Sequence, residues 1–312
     1  MKKVRIPGKV MLSGEYAVLY GGTAVLVPVP RFLEITEISN APEKPYPRVV
    51  NVGLEYKITE TTDYESKHGL PNLKIDNREF YSEDTDGKLT KLGLGLSAAE
   101  AVGVVVIRYK RAGITVAEHK TDITRYGMDI HRKAQSGFGS GADVALCVYG
   151  EPIRFCNIDN DFHIELISDD NRINIMPITL AWTGQPADTR GLVQRFQIWV
   201  KKGGNKTKKI VSHLVEISNQ LGKAWFFASI QDLFILLDEF NSIMEHIANK
   251  AQIPYKLPIH GKIENWARKH GGYAKPTGAG GGDMILIIGD LPFHELKQVL
   301  IPLKLGGSFS EV

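Results

Sequence analysis

Residues 91–106, KLGLGLSAAEAVGVVV, combine a glycine-rich turn with an apolar segment of helical character. Glycine lets the backbone approach a ligand closely and adopt positive φ without steric cost. A helix that follows such a turn leaves its first N–H groups unpaired and presents the positive end of its dipole. The stretch therefore predicts an anion site suited to a nucleotide phosphate. Ser97 and Glu100 have the spacing of a capping box, which predicts where the helix begins.

Two further glycine-rich segments follow, GFGSG at residues 137–141 and KPTGAGGG at residues 275–282. Three such loops in one chain predict one shared ligand pocket. Asp143 follows the second loop and is expected to open a helix, whose dipole favours an ionised carboxylate. It is a candidate general base, or it only caps that helix. Lys9, after Pro7-Gly8, is its natural partner and would hold the carboxylate charged; the alternative is a solvated strand lysine.

Two common nucleotide-binding motifs are excluded. Gly93-x-Gly95-x-x-Ala98 formally satisfies the dinucleotide fingerprint, but the residues before it, DTDGKLTK, are polar and do not form a buried strand. The chain also contains no G-x-x-x-x-G-K-[ST] sequence, so it has no Walker-type phosphate loop.

The elements that would position these loops can be outlined from the hydrophobic pattern. Expected strands cover residues 3–6 and 9–12 around a Pro-Gly turn, and residues 23–29, 32–39, 49–58, 153–155, 162–167, 173–182 and 284–288. Residues 61–91 are expected to be loop with one hairpin. One helix is expected from the first glycine turn to Gly113, a second at residues 122–134, and a third that starts near Ala142 or Asp143. Further helices are expected at residues 188–200, 211–222, 230–248 and 292–300, and another is expected to end near His270. Strands cluster early and mix with helices later, which predicts an α+β protein of two lobes that divide near residue 175.

The composition of the chain limits the classes of protein to which it could belong. The chain has 312 residues, 43% hydrophobic and 23% charged, with a net charge of +3. This charge is too small to favour nucleic acid as a partner. The two cysteines form no metal or redox motif, which favours a reducing, cytoplasmic location. The apolar runs GVVVI and MILII are too short to span a membrane, and Pro7, Gly8 and Lys9 interrupt any signal peptide.

Three motifs together resemble those of the GHMP kinases, the family named for galacto-, homoserine, mevalonate and phosphomevalonate kinases. They are PGKVMLSGEYAVLYGG at residues 7–22, GLGLSAA at 93–99 and KPTGAGGGD at 275–283, in the family's order. The resemblance implies an α+β, two-lobed GHMP kinase fold. Its ATP-binding lobe, residues 1–175, would resemble ribosomal protein S5 domain 2, and the lobe of residues 176–312 would be ferredoxin-like.

Within that family the chain is similar to the phosphomevalonate kinase branch. The similarity rests on HRKAQSGFGSGADVALCVYG at residues 131–150, on WTG at 182–184, and on Tyr16, where mevalonate kinases tend to carry histidine. It implies transfer of a phosphoryl group from ATP to phosphomevalonate, giving a diphosphate. The alternatives are mevalonate kinase or another small-molecule or sugar kinase of the family, and a non-catalytic, ligand-sensing homologue. Against the last stands the retention of Lys9, Asp143 and all three glycine loops.

The resemblance implies ATP and Mg²⁺ as cofactors, a small-molecule substrate, no nucleic acid or membrane partner, and a monomer or homodimer. It assigns catalysis to Asp143 and Lys9 and a Mg²⁺ contact to the Ser97 hydroxyl. The expected ATP-binding residues are Gly93, Leu94, Gly95, Leu96, Ser97 and Ala98. The expected substrate-binding residues are Lys9, Tyr16, His131, Ser140, Gly141, Arg190, Thr277, Gly278 and Ala279.

An acceptor that already carries a phosphate needs further cations at its end of the pocket. The candidates are His131, Arg132, Lys133 and Arg190, of which His131 and Arg190 are favoured. For each, a solvated helix-surface residue is the alternative. Two departures from the family bear on activity. Leu96 stands where the family usually has a first serine, and the nearest candidate for an acidic metal ligand is Asp129.

Overall fold

The computed structural model describes residues 2–83, 87–135, 137, 139–158, 161–167 and 177–303. The elements up to residue 167 are β1 (Lys3–Ser13), β2 (Ala24–Ile38), α1 (Arg48–Glu55), α2 (Thr62–His68), β3 (Asn72–Asp76), β4 (Tyr81–Glu83), β5 (Leu89–Lys91), α3 (Leu96–Arg111), α4 (Lys120–Ala134), α5 (Ala142–Tyr149), β6 (Ile153–Ile158) and β7 (Asp161–Leu166). From residue 177 they are β8 (Ile178–Trp182), α6 (Thr189–Phe227), α7 (Ile230–Ala251), α8 (Pro258–Lys269), β9 (Tyr273–Pro276), β10 (Met284–Ile288) and β11 (Leu300–Leu303).

The strands form two main antiparallel sheets, each accompanied by helices. The first has the order β1–β2–β6–β7, with β3 also paired to β2. The second has the order β11–β8–β10–β9. This mixture of helix and antiparallel sheet confirms the α+β prediction. The predicted boundary at residue 175 lies outside the described residues, so the division into lobes of residues 1–175 and 176–312 stays a prediction.

Helix α3 is the central element of the first half, because nearly all of its residues are buried. It packs against β1 and β2, and Gly103 lets it come close to the sheet. A Cβ atom at Gly103 would lie 2.7 Å from Ile35 Cδ1. The burial of α3 on the sheet fixes the position of its N-terminus, where the first glycine turn lies.

The two strands expected around Pro7-Gly8 are one strand, β1, whose register against β2 shifts between these two residues. The prediction of a turn was therefore wrong, and these residues contact another segment instead. Gly8 lies against the first glycine turn, where a Cβ atom would be 3.2 Å from Leu94 O. The N–H of Lys9 donates to the same carbonyl oxygen at 2.9 Å. Pro7-Gly8 therefore marks the place where the glycine turn docks on the strand.

The strands expected at residues 23–29 and 32–39 are likewise one strand, β2. The strand expected at 49–58 is wrong, since most of it is helix α1. Its buried Val49, Val50 and Gly53 share one helical face, and a Cβ atom at Gly53 would lie 3.0 Å from Val104 Cγ1 of α3. β-branched residues favour strands only weakly when a helix offers them a buried face.

The segment expected as loop contains the predicted hairpin, β4–β5, and in addition α2 and β3. The helix expected at 292–300 is wrong. A short 3₁₀ turn at Phe293–Glu295 precedes β11, which pairs with β8. The helices expected at 188–200 and 211–222 are parts of α6, which is interrupted at Gly204 with φ +58°. No helix within the described ranges is both long enough and apolar enough to cross a lipid bilayer.

Candidate active site

A cleft of about 260 Å³ lies where the three glycine loops meet the first turn of α6. This convergence confirms the prediction of one shared pocket. The lining residues are Lys9, Met11, Glu15, Tyr16, Val18, Leu19, Lys91, Gly93, Gly95, Ser97, His131, Gln135, Gly139, Ser140, Asp143, Pro186, Ala187, Thr189, Arg190, Val193, Gly278, Ala279 and Asp283.

The first glycine turn ends in the N-cap of α3, which is Gly95 with φ +82°. No side chain caps this helix, so the capping box predicted for Ser97 and Glu100 is wrong. The N–H groups of Ala98 and Ala99 both donate to Gly95 O, at 3.0 and 3.1 Å. The N–H groups before Ala98 therefore precede the first helical bonds and lie at the positive end of the helix.

Two glycines of this turn are required by what packs on them. A Cβ atom at Gly93 would lie 2.1 Å from Asp283 Cγ, and one at Gly95 would lie 2.7 Å from Lys9 Cγ. A side chain at either position would therefore displace a charged group from the cleft. The turn is built so that an acidic and a basic side chain lie directly on its backbone.

Alternate side chains of the turn face opposite ways. Leu94 and Leu96 are 1% and 3% exposed and belong to the core, and Ala98 is also buried, so none of the three side chains lines the cleft. Ser97 does line it, and its Oγ lies 3.1 Å from His131 Nε2. Leu96 thus occupies a packing position, and the hydroxyl that faces the cleft is retained.

Asp143 lies in the first turn of α5, where the second glycine loop ends. Burial by itself would raise the pKa of its carboxyl. The positive charges of His131 and Lys9, together with the N–H groups of Asp143 and Val144, outweigh that effect and lower the pKa below its ordinary value. Asp143 and Lys9 both line the cleft, and the lowered pKa favours the ionised carboxylate of Asp143.

The two favoured cations both line the cleft. His131 is only 7% exposed, in the last turn of α4, and Arg190 is exposed in the first turn of α6. Arg132 and Lys133 do not line it. Arg132 lies 4.0 Å from Asp129, and Lys133 lies over the ring of Tyr56, 4.4 Å from its centroid.

Asp129, the nearest candidate for an acidic metal ligand, is not among the residues that line the cleft. Its Oδ2 accepts a hydrogen bond from the Tyr56 hydroxyl at 2.8 Å. Among the residues that the structure describes, no cluster of three or more His, Cys, Asp or Glu side chains could bind a metal ion by itself.

The third glycine loop is joined to the first motif through Tyr16, whose hydroxyl donates to Ala279 O at 2.8 Å. Burial, and then the charge of Glu15, raise the pKa of Tyr16 above its usual range. Gly278 and Ala279 line the cleft, but Thr277 does not. The Thr277 hydroxyl is buried and donates to Met284 O at 3.1 Å, which is a structural role.

Of the two residues of the second glycine loop that were predicted to bind substrate, one lines the cleft and the other does not. Ser140 lines the cleft, and its Oγ accepts from the N–H of Ala142 at 3.3 Å. Gly141 does not line the cleft. It is the N-cap of α5 with φ +89°, and a Cβ atom there would lie 2.7 Å from the Met128 side chain.

Three charged cleft residues were missed as site residues: Glu15, Lys91 and Asp283. Each lies within or beside a motif, in GEYAV, before GLGLSAA and at the end of GGGD. Burial raises the pKa of Asp283, against the opposing effects of the Ala187 N–H, Lys9 and Lys91. A charged residue at the edge of a glycine loop was the signal that could have identified them.

No family model matches the chain. The phosphomevalonate kinase of Saccharolobus solfataricus is 28% identical, over 93% of this chain and 91% of its own length. A protein of Listeria innocua of known crystal structure superposes with a TM-score of 0.78 at 22% identity, with 96% of each chain covered. Streptococcus pneumoniae phosphomevalonate kinase, solved with phosphomevalonate and AMPPNP, superposes at 0.67 with 19% identity over 95% of this chain and 94% of that one. Methanococcus jannaschii mevalonate kinase superposes at 0.71 with 14% identity, over 98% of each chain. With its three motifs in one cleft, the chain has the α+β fold of the GHMP kinases and is similar in sequence to a phosphomevalonate kinase.

Proposed function

We propose that this protein is a phosphomevalonate kinase that uses ATP and Mg²⁺. The terminal phosphoryl group of ATP moves to a phosphate oxygen of phosphomevalonate, and the products are ADP and a diphosphate. One observation carries the proposal: Asp143, Lys9 and two further cations line the cleft at the N-terminus of α3. The 28% identical relative, a phosphomevalonate kinase that matches 93% of this chain, supports the choice of acceptor.

The first glycine turn fits nucleotide phosphates. Gly93 and Gly95 have φ of +75° and +82°, which opens the backbone toward the cleft, and the N–H groups of Leu96 and Ser97 precede the first helical bonds. An anion at this position would meet the positive end of the α3 dipole. Lys9 and Lys91 line the same cleft and would add positive charge beside the phosphates.

The residues also fit a magnesium ion that arrives with the nucleotide. Mg²⁺ in kinases is usually bound by one or two protein oxygens, with waters and substrate phosphates completing its shell. The Ser97 hydroxyl is one available oxygen, and the Asp143 and Asp283 carboxylates also line the cleft. When bound, the ion neutralises charge on the phosphate oxygens during transfer.

The acceptor's phosphate decides what Asp143 has to do. A phosphate monoester has a second pKa near 6 and is therefore a dianion at about neutral pH, so it needs no base before it attacks. An ionised Asp143 with a lowered pKa is a weak base. In this reaction the Asp143 carboxylate helps to direct the Lys9 ammonium at the phosphoryl group, while His131 and Arg190 bind the acceptor's phosphate. A hydroxyl acceptor, such as mevalonate, would instead need Asp143 to take a proton.

An acceptor screen tests the proposal. The purified protein is incubated with Mg²⁺ and ATP and with phosphomevalonate, mevalonate, galactose or homoserine, and ADP release is followed. ADP release above background is expected with phosphomevalonate alone. Turnover of mevalonate or a sugar in its place would assign another kinase of the superfamily. Absence of turnover with millimolar phosphomevalonate would contradict the proposal. The Asp143→Ala variant serves as the background.

A further inference from the structure

A second cavity, of about 540 Å³, is lined by one face of α6 and by the end of α7. It is lined by Arg195, Ile198, Trp199 and Lys202 of α6, and by Lys250 and Gln252 at the end of α7. The four residues of α6 have the i, i+3, i+4 and i+7 spacing of a single helical face. The volume is within the range of about 300–1,000 Å³ that is usual for small-molecule sites.

This cavity is separate from the active-site cleft, although the same part of α6 lines both. Arg190 and Val193 line the cleft. Phe196 is fully buried, and its ring centroid lies 4.6 Å from that of Tyr16, which lines the cleft, and 5.9 Å from that of Trp199, which lines the second cavity. A ligand in the second cavity would therefore contact the segment that carries Arg190 without entering the cleft.

Three cationic side chains line the second cavity, and none of its described lining residues is acidic. Arg195 Nη1 donates to Gln252 O at 2.9 Å, which holds the guanidinium at the end of α7. Glu245, the acidic residue nearest to Lys250 along the chain, is paired with Lys256 at 2.5 Å. The positive charges therefore converge from two helices without a carboxylate among the described residues that line the cavity.

The surrounding sequence supplies no local counter-charge either. Residues 189–215 contain seven Lys or Arg residues and no Asp or Glu, whereas the whole chain has a net charge of only +3. Because like charges in one cavity repel each other, an arrangement of this kind favours the binding of an anion.

The helix ends at the cavity indicate how much negative charge the anion would carry. Lys202 lies just before the interruption of α6 at Gly204, and Lys250 lies in the last turn of α7. The C-terminal end of a helix is equivalent to roughly half a negative charge, so the two ends offset about one of the three positive charges. About two positive charges remain, and a diphosphate carries enough negative charge to neutralise them.

Two apolar side chains lie among the three cations. Trp199 is half-buried, and Ile198 is 46% exposed. The face of an indole ring is a good stacking surface for a planar nucleic-acid base. A ligand that combines a planar base with a diphosphate would therefore use both the aromatic ring and the cations of this cavity.

We propose that the second cavity is a nucleotide site, which binds a nucleoside diphosphate outside the active-site cleft. The diphosphate lies against Arg195, Lys202 and Lys250. The base stacks on Trp199. The proposal does not rest on the kinase function, because none of these residues lines the cleft. The alternative is a set of solvated lysines, which would bind ADP no better than other surface lysines of α6.

Calorimetric titration with ADP in the absence of Mg²⁺ counts the sites. The test variant combines Lys202→Glu with Lys250→Glu. The matched control combines Lys208→Glu with Lys209→Glu, which makes the same change of charge at two exposed lysines of α6 that do not line the cavity. The parent and the control are expected to bind one more equivalent of ADP than the test variant. Equal stoichiometry in the parent and the test variant, or the same loss in the control, would overturn the proposal.

The count also separates this proposal from the proposed function. If the cleft binds ADP, the parent, the control and the test variant should bind two, two and one equivalents. If the cleft does not bind ADP, they should bind one, one and none. The difference that tests the second cavity is the same in both cases.

Trp199→Leu tests the nucleoside part of the proposal. It should raise the Kd of the equivalent that binds in the second cavity by about fivefold or more, because the base loses its stacking partner. An unchanged Kd would overturn the assignment of a nucleoside, and so would inorganic pyrophosphate that binds this cavity as tightly as ADP.

Near-ultraviolet circular dichroism checks the fold of each variant. If the charge-reversal pair does not fold, Lys202→Gln with Lys250→Gln takes its place, and the loss of one equivalent is again expected. Failure of this milder pair to fold would overturn the proposal, since the two lysines would then be needed for the fold.

Discussion

Lys275 Nζ lies 2.6 Å from Glu15 Oε1, in a pair whose side chains are 0% and 1% exposed. Lys275 belongs to β9 in the second sheet, and Glu15 follows β1 of the first. Lys275 also donates to Leu12 O at 3.3 Å. The pair therefore ties the start of the third glycine loop to the motif that carries Tyr16.

Breaking this pair should destabilise the protein strongly. Lys275→Met leaves the Glu15 carboxylate buried without its counter-charge, and such changes typically cost about 3–5 kcal/mol in free energy of unfolding. Urea denaturation measures the effect. Lys269→Met, at an exposed lysine of α8, is the control and should stay within about 0.5 kcal/mol. A loss below about 1 kcal/mol in Lys275→Met would show that the pair does not hold the two segments together.

Asp143→Asn should lower kcat about a hundred- to a thousandfold, because an electrostatic partner of the reacting groups is lost. ADP binding, measured by calorimetry, should be retained. Since the pKa of Asp143 is below its ordinary value, the carboxylate is ionised throughout neutral pH. The acid limb of the pH–rate profile, near pH 6, should therefore reflect protonation of the acceptor's phosphate. This limb should persist in Asp143→Asn. Disappearance of that limb in the variant would instead make Asp143 the titrating base.

Magnesium should be required, and removing it with EDTA should abolish turnover. Ser97→Ala should raise the Mg²⁺ concentration for half-maximal rate roughly tenfold, corresponding to loss of one charge-assisted contact of about 1.4 kcal/mol. Ser66→Ala, at an exposed serine of α2, should leave the Mg²⁺ requirement unchanged. If the Mg²⁺ requirement of Ser97→Ala equals that of the parent, the Ser97 hydroxyl does not contact the metal ion and serves only in its contact with His131.

Leu96→Ser restores the hydroxyl that the superfamily usually has, yet it should not raise activity. The Leu96 side chain is 3% exposed within the core, so the change loses apolar packing and buries a hydroxyl. The free energy of unfolding should fall by about 2–4 kcal/mol. Leu89→Ser, at a residue that is 61% exposed, should have little effect. A more active and equally stable Leu96→Ser variant would place this side chain in the cleft.

Glu100 should make stability depend on pH. Burial raises its pKa from 4.5 to about 7, so its contribution to stability is complete below pH 4.5 and is lost as the pH rises through 7. In urea unfolding from pH 5 to pH 8, the parent should lose about 2–3 kcal/mol more than Glu100→Gln. Glu43→Gln, at an exposed position, should follow the parent. Parallel curves for the parent and Glu100→Gln would contradict the raised pKa.

The sequence predicted the three glycine loops, the cleft that they share, and the helices that follow the first two loops. These features depend on short local patterns, in which glycine and a helix start occur together. Pro7-Gly8 shows the limit of that reasoning. The same two residues allow a turn or a continuous strand, and in the structure they lie within β1, where the N–H of Lys9 donates to Leu94 O of the first glycine turn.

Side-chain direction was the other limit. Ser97 was expected to cap its helix and Leu96 to alter the phosphate site, but Gly95 is the N-cap and Leu96 packs in the core. Which side of a turn faces the ligand depends on how its helix lies on the sheet, and no local pattern encodes that. Asp283 was overlooked for a similar reason, since its neighbours Lys9 and Gly93 come from distant parts of the chain.

The identity of the acceptor decides the proposed function, and ³¹P NMR of the reaction products tests it most directly. With phosphomevalonate, Mg²⁺ and ATP, a new pair of coupled diphosphate resonances is expected, formed as ATP is converted to ADP and appearing about a hundred- to a thousandfold more slowly with Asp143→Asn. Consumption of ATP that yields only inorganic phosphate, or a new phosphate monoester formed from mevalonate with no diphosphate formed from phosphomevalonate, would contradict it.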